Sequence, residues 1–259
     1  MREARKLGFG VIGCGTAAVP VCAALAASQT TELVVVQDAN PDMARDLSER
    51  LGVRRADTVE QVLGNAEVEA VYIAVPHQVL AQLAGQALSA DKHVLVEKPM
   101  AIRLADADAL IALAEERRRT LDVFFQMRGI DPYAQARALV QAGALGAIIG
   151  VRLQTLIDKR LDYWQVGYAG RSTQPWRAKK AQAGGGVVLM NTSHALDAVQ
   201  HITGLDVVSV TAEVATLVAD VEVEDTAAAT LRFSNGAVGS LFAGAHIAGA
   251  ERAERTELY

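Results

Sequence analysis

Residues 7–18, LGFGVIGCGTAA, restrict the fold more than any other part of the chain. A short apolar run containing valine and isoleucine reads as a strand buried in a sheet. It passes directly into Gly13-x-Gly15-x-x-Ala18, and residues 19–27 then read as a helix of small side chains. Strand, glycine turn and helix in that order form the pattern that cradles a dinucleotide. The first glycine makes the tight turn, the second lets the backbone approach a pyrophosphate, and the small third residue permits close helix packing. The anion then sits at the helix N-terminus, where free N–H groups point at it. Cys14, inside the motif, reads as a small filler rather than a reactive thiol.

A second apolar strand, residues 33–37, ends in Asp38, which stands 25 residues after Gly13 (38 − 13). That offset suits an acid accepting from a ribose 2′-hydroxyl. A carboxylate there repels a 2′-phosphate, and residues 37–43 hold no Arg or Lys to attract one. NAD(H) is therefore expected over NADP(H); the bland alternative is a plain loop acid.

Strands at residues 53–55, 70–75, 93–96 and 121–125 alternate with helices at 41–51, from 58, 79–89 and 104–118, the first with Asn40 as N-cap and Pro41 at its first position. Such alternation implies βαβ units and a doubly wound parallel sheet. After residue 125 the pattern changes. A helix at 132–141 and a strand at 147–157 precede a loop-like stretch, 158–186, then a helix at 193–203 and long alternating strands at 207–217, 225–233 and 237–243. Asn235-Gly236 is a strong hairpin signal. The expected architecture is an N-terminal domain, 1–125, and an α+β domain, 126–259, on an antiparallel or mixed sheet.

The net charge of −5 argues against a nucleic-acid surface. No apolar run approaches the roughly 18–20 residues that span a bilayer, and MREARKLGFG has no secretory pattern. Cys14 and Cys22, the only cysteines, cannot form a disulfide framework, so a reducing cytoplasm is expected.

Three further stretches carry candidate chemistry. In HVLVEKPMA, residues 93–101, a short strand ends in Glu97-Lys98, and Pro99 restrains the backbone of Lys98. Lys98 either caps the strand in a surface ion pair or points into a site. In GGGVVLMNTSHALDAV, residues 184–199, three glycines open an apolar segment that becomes a helix on which His194 and Asp197 share a face. His194 is either a satisfied structural histidine or a proton-exchanging group; His201 reads as structural. No cluster has zinc spacing. RLDYWQVGYAGRSTQPWRAKK, residues 160–180, gathers four aromatics, either buried under a loop or forming a wall for a polyhydroxylated ring.

Together GVIGCGTAA, ELVVVQDANP, AVYIAVP, HVLVEKPMA, GALGAIIGVRL, GGGVVLMNTSHALD and VEDTAAATLRFSNGAVGSL resemble, in order, the Gfo/Idh/MocA oxidoreductase family, named for glucose-fructose oxidoreductase and inositol dehydrogenase. The resemblance implies a Rossmann domain followed by a C-terminal domain with a large open, mostly antiparallel sheet. It also implies NAD-dependent hydride transfer to or from a sugar, inositol or similar polyol, and homodimers or homotetramers formed through the open sheet. Lys98 becomes the catalytic lysine of Glu-Lys-Pro, its bond to Pro99 is expected to be cis, and His194 becomes the active-site histidine. Candidate cofactor-binding residues are Gly13, Gly15, Thr16, Ala18, Asp38, Pro76, Glu97 and Lys98; candidate substrate residues are Arg128, Tyr163, Trp176, Asn191 and His194. Two positions depart from the family pattern. Met190 replaces the aspartate that many members carry four residues before the histidine, and Leu80 replaces a histidine that many carry four residues after Pro76. A non-catalytic nucleotide-binding regulator is therefore the alternative function. Because such sheets usually continue past the SNGAVGSL hairpin, the chain is expected to be truncated, with residues 256–259 inside a further strand.

Overall fold

Successive residues of β1 (Leu7–Ile12) bury opposite faces of a parallel sheet, and this two-sidedness organises the first half of the chain. The computed structural model describes residues 5–168, 170, 172, 174–250 and 253–259. Ala169, Arg171 and Thr173 of the aromatic stretch lie outside the described residues. The chain divides into two units, Met1–Phe124 and Phe125–Tyr259.

In the first unit β1 is joined by β2 (Thr31–Gln37), β3 (Arg54–Arg55), β4 (Ala70–Ile73), β5 (His93–Glu97) and β6 (Leu121–Phe124). All pairs are parallel, in the order β3-β2-β1-β4-β5-β6. Val11, Val36 and Tyr72 face α1 (Ala18–Ala27) and α2 (Pro41–Leu51), meeting Ala18, Cys22 and Leu47. Ile12, Ile73 and Val96 face the other way, with Leu80, Ala84 and Leu88 of α4 (His77–Ser89) and Leu110 of α5 (Leu104–Arg117). The order of connection reverses between β1 and β4, and ligands of such sheets bind beyond the carboxyl ends of the strands at that point. Asn40 caps α2 by accepting the Asp42 N–H, with Pro41 at the first turn as expected. The helix expected from Thr58 is only α3 (Val59–Leu63), capped by Thr58 and ended at Gly64.

The second unit contains α6 (Asp131–Gln141), β7 (Gly150–Leu156), α7 (Tyr163–Val166), α8 (Lys180–Ala183), α9 (Ser193–Thr203), β8 (Val207–Ala215), β9 (Thr226–Phe233), β10 (Val238–Gly244) and β11 (Ala253–Leu258). The sheet order is β11-β7-β10-β9-β8, with β7 and β10 parallel and the other pairs antiparallel. One face is covered: Leu153, Leu231, Phe233 and Leu241 pack with Ala195 and Val199 of α9. Thr230, Arg232, Ser240 and Phe242 occupy the open face. Both halves match the fold class expected from the sequence. At the hairpin, Gly236 takes φ +91° and Asn235 Oδ1 accepts the Ala237 N–H.

The stretch 158–186 is not the continuous loop expected. It holds α7, a 3-10 turn (Trp176–Ala178) and α8, units of three or four residues that are too short to leave a periodic signal. They are held instead by burying Tyr163, Trp164, Trp176 and Ala183. Residues 147–149 precede β7 rather than belong to it, following Gly146 at φ +66°. No described helix is long and apolar enough to cross a membrane.

Candidate active site

The glycine turn after β1 is built against β4. A Cβ on Gly13, whose φ is +95°, would stand 2.2 Å from the Ala74 carbonyl oxygen, so only glycine fits. Its N–H donates to the Gln37 carbonyl at 2.8 Å. At Gly15 the opposite holds: an added Cβ meets nothing within 4 Å, leaving the backbone open to an approaching group. Thr16 is exposed, Ala18 is buried at the start of α1, and no acidic residue occupies that helix's first turn. An open glycine backbone leading into a helix N-terminus fits the pyrophosphate of a dinucleotide.

Asp38 completes this turn. Its Oδ2 accepts the Cys14 N–H at 2.7 Å and its Oδ1 accepts the Asn40 N–H at 2.8 Å. The Cys14 thiol donates to the Gln37 carbonyl, and burial first, then the charge of Asp38, pushes it far up, consistent with an inert filler. Pro76 immediately precedes α4, beyond the carboxyl end of β4.

At the end of β5 the Lys98–Pro99 bond is cis, as the resemblance implied. Glu97 Oε1 accepts the Tyr72 hydroxyl at 2.6 Å, and Oε2 accepts the Lys98 N–H at 3.2 Å. Burial pushes the Glu97 carboxyl up, opposed by the Tyr72 hydrogen bond and the Lys98 charge. Both carboxylate oxygens thus brace the turn that carries Lys98, a half-buried residue at the carboxyl end of a parallel strand.

In the second unit the triple glycine has a definite cause. A Cβ on Gly186 would stand 1.8 Å from the Glu224 carbonyl oxygen, and the Glu224 carboxylate accepts the Gly186 and Val188 N–H groups at 2.8 and 3.1 Å. The chain then makes a π-helical turn, Val188–Thr192, before α9 begins, a local widening common at functional sites. It buries Met190, Asn191 and Thr192 together, with His194 buried in the first turn of α9.

His194 meets the Phe125 ring edge-on at 5.9 Å, and the Arg128 guanidinium lies over that same ring at 5.5 Å. The Asp197 carboxylate, on the helix face shared with His194, binds the Arg128 fork, with Nε at 2.9 Å. Arg128, expected at the substrate, makes this ion pair with its side chain about half exposed. Tyr163 and Trp176 are buried, the first with its hydroxyl 3.8 Å from Met190 Sδ. Burial raises the Tyr163 phenol to about 12, against the nearby Arg177 charge. His201 is tied to Arg137, as a structural histidine would be.

Lys159 is the residue the sequence reading missed. It is buried, and its Nζ donates to Asn191 Oδ1 at 2.7 Å. Nothing local marks it; the only signal was its place, two residues beyond Ile157 on the inward row of β7. Among the described residues no group of three or more His, Cys, Asp or Glu side chains is arranged to hold a metal.

Residues 7–125 match the family model described as an oxidoreductase family with an NAD-binding Rossmann fold, and residues 133–259 match that of the GFO/IDH/MocA C-terminal domain. The chain belongs to the Gfo/Idh/MocA family. It is 29% identical over 236 residues to 1-carboxy-3-chloro-3,4-dihydroxycyclohexa-1,5-diene dehydrogenase of Comamonas testosteroni, covering 90% of this chain and 56% of that protein. The crystal structure of WlbA dehydrogenase from Bordetella pertussis with NADH and UDP-GlcNAcA superposes with a TM-score of 0.89 at 28% identity, covering 99% of this chain and 72% of the other. Levoglucosan dehydrogenase with NADH and levoglucosan gives 0.89 at 26% identity, covering 98% and 71%. The chain spans about half the length of the first curated relatives it matches.

Proposed function

We propose that this protein is an NAD-dependent dehydrogenase or reductase acting on a sugar, an inositol or a similar polyol or its carbonyl form. The observation that carries the reading is Lys98, braced by Glu97 at the carboxyl end of β5, in the same sheet whose β1 and β2 end in the open glycine turn and Asp38. The substrates named for the relatives above, a dihydroxylated ring acid, a nucleotide sugar acid and an anhydrosugar, share a ring bearing hydroxyl groups.

Bound NAD supplies the hydride acceptor or donor at its nicotinamide. Gly13, Gly15, Thr16 and Ala18 receive the pyrophosphate, and Asp38 the adenosine ribose, which favours NAD(H) over NADP(H). Pro76 and Glu97 shape the cofactor side. Lys98 exchanges the substrate hydroxyl proton, with His194 assisting. Asn191 orients the substrate through its amide and does not titrate. Residues 1–125 bind the cofactor; residues 126–259 receive substrate and pair with another copy as a homodimer or homotetramer through the open sheet face that carries Thr230, Arg232 and Phe242. A cytoplasmic setting suits the two unpaired, buried cysteines.

The second reading, a nucleotide-binding regulator without turnover, draws on Met190, a buried thioether where the family resemblance implies an aspartate. A screen of polyols and sugars with NAD+ and of their carbonyl forms with NADH, following NADH absorbance, separates the two. Turnover on any member supports the enzyme; tight NADH binding with no turnover across the panel supports the regulator.

A further inference from the structure

Near the carboxyl ends of β4, β5 and β6 three side chains meet on the sheet face that packs against α1 and α2. Tyr72 lies opposite Leu95 in the register of β4 and β5, and Glu97, two residues further on, shares that face. Glu97 in turn lies opposite Phe124 of β6, whose ring meets that of Tyr72 edge-on at 5.7 Å. Tyr72 is 0% exposed, and its hydroxyl reaches along β5 to donate to Glu97 Oε1 at 2.6 Å. The other carboxylate oxygen, Oε2, accepts the Lys98 N–H at 3.2 Å. A buried hydroxyl is thus linked to the backbone of Lys98 through a single side chain.

Donor and acceptor are fixed in this link. Burial first, then the charge of Glu97, pushes the Tyr72 phenol far up, so the hydroxyl keeps its proton and donates. A distance of 2.6 Å suits a hydroxyl donating to an ionised carboxylate. Burial opposes that charge most strongly, and the Tyr72 hydrogen bond and then the Lys98 charge oppose burial. Cys22 of α1 also faces Tyr72, but burial pushes its thiol up to about 11, so it adds no charge. Core filling alone does not account for the pair. Phenylalanine at 72 and an apolar residue at 97 would fill the same face without the cost of a buried carboxylate. What Tyr72 and Glu97 add is an acceptor anchored at the Lys98 amide.

We propose that Tyr72 is a positioning residue for Lys98: acting through Glu97, its hydroxyl fixes the backbone from which the lysine side chain departs. This rests on the dehydrogenase reading above for the task of Lys98 itself. Tyr72 is fully buried and acts only through the carboxylate, which has one oxygen for each partner. A misplacement of about 1 Å at a reacting group can cost about 10²-fold in rate, so a hydrogen bond two steps removed from the lysine can govern turnover.

The test reads the Lys98 amide directly. The chain has six lysines, so NMR of protein carrying isotope-labelled lysine gives few signals, and Lys98→Arg identifies that of Lys98 by its loss. We expect Tyr72→Phe, which keeps the ring that meets Phe124, to move the Lys98 N–H signal. It should also raise the pH at which that signal follows the titration of Glu97, because a hydrogen bond to the charged form is lost. Glu97→Gln should move the signal and abolish the titration. Adding Tyr72→Phe to Glu97→Gln should then change little, since the hydroxyl acts through the carboxylate. On a substrate found by the polyol and sugar screen, Tyr72→Phe should lower kcat by about 10- to 100-fold. NADH affinity should stay within a few-fold, with melting curves showing each variant folded. A Lys98 signal unmoved in Tyr72→Phe overturns the proposal, as do fully additive effects of the two variants or a near-normal kcat in Tyr72→Phe. Should Tyr72→Phe fail to fold, an unmoved Lys98 signal in Glu97→Gln overturns it instead. Absence of hydride transfer across the screen would count against the dehydrogenase reading alone, since the amide is read without turnover.

Discussion

The Asp38 carboxylate accepts the Cys14 N–H at 2.7 Å and so ties the end of β2 to the glycine turn that follows β1. Its other oxygen takes the Asn40 N–H, which leads into α2. The acid expected to select the cofactor is therefore also part of the scaffold that shapes the pyrophosphate turn. Asp38→Asn leaves one good acceptor for two N–H groups. Charge-assisted hydrogen bonds are worth roughly 1.5–3 kcal/mol, and about 1.4 kcal/mol is tenfold in affinity. We expect NADH to bind about tenfold more weakly to Asp38→Asn, while NADPH gains relative to NADH; adding Ala39→Arg should relax or invert the preference. Titration with both cofactors decides. Unchanged NADH affinity in Asp38→Asn would show the clamp to be idle, and tighter NADPH than NADH in the unaltered protein would remove the NAD assignment.

Lys98→Ala should lower turnover by about 10²–10⁴, the usual contribution of a positioned acid or base. NADH affinity should stay within a few-fold, because the glycine turn and Asp38 are untouched. His194→Ala should fall in the same range or somewhat below it. Near-normal turnover in Lys98→Ala on an identified substrate sinks the mechanism.

What the sequence made legible was local. Strands two-sided in their apolar pattern, a glycine turn and an acid at a fixed offset all lie within about thirty residues, where periodicity and spacing carry the information. What it hid was made by long-range pairing. Glu224 dictates Gly186 from 38 positions away, and Lys159 finds Asn191 across 32. Asp197 binds Arg128, 69 positions earlier, a pairing that no local spacing announces. Short helical turns such as α7 are fixed by what Tyr163 and Trp164 bury, not by a pattern of their own.

The Arg128–Asp197 pair makes an unequal prediction for its two members. Asp197 is almost fully buried, while the Arg128 side chain is about half exposed. Arg128→Ala strands a buried carboxylate and should cost on the order of 1–3 kcal/mol, discounted for the exposed side of the pair. The double variant Arg128→Ala/Asp197→Asn should recover part of that loss, since no charge is left unpaired. Denaturant unfolding of the two proteins checks it; a double variant less stable than the single one refutes the coupling.

Asp225 links the stability of the second unit to pH. Only 1% exposed, it accepts the N–H groups of Leu217, Val218 and Ala219 at 2.8–3.0 Å and the Thr226 hydroxyl at 3.0 Å. Burial by itself would push its carboxyl up, but these hydrogen bonds prevail and hold it below the ordinary value of 3.8. The folded state then binds fewer protons than the unfolded state wherever the two titrations differ. The resulting stability is present in full above the unfolded value and disappears as pH falls through the lower folded one. Asp225→Asn, which like a protonated carboxyl keeps one good acceptor, should lose about 2–3 kcal/mol at neutral pH. Its deficit against the unaltered protein should shrink as pH is lowered below about 4, because the native carboxylate is then being protonated as well. Denaturant unfolding of both proteins from neutral pH downward measures this, and a deficit that stays constant into acid would mean that the loop 216–225 owes nothing to the charge on Asp225.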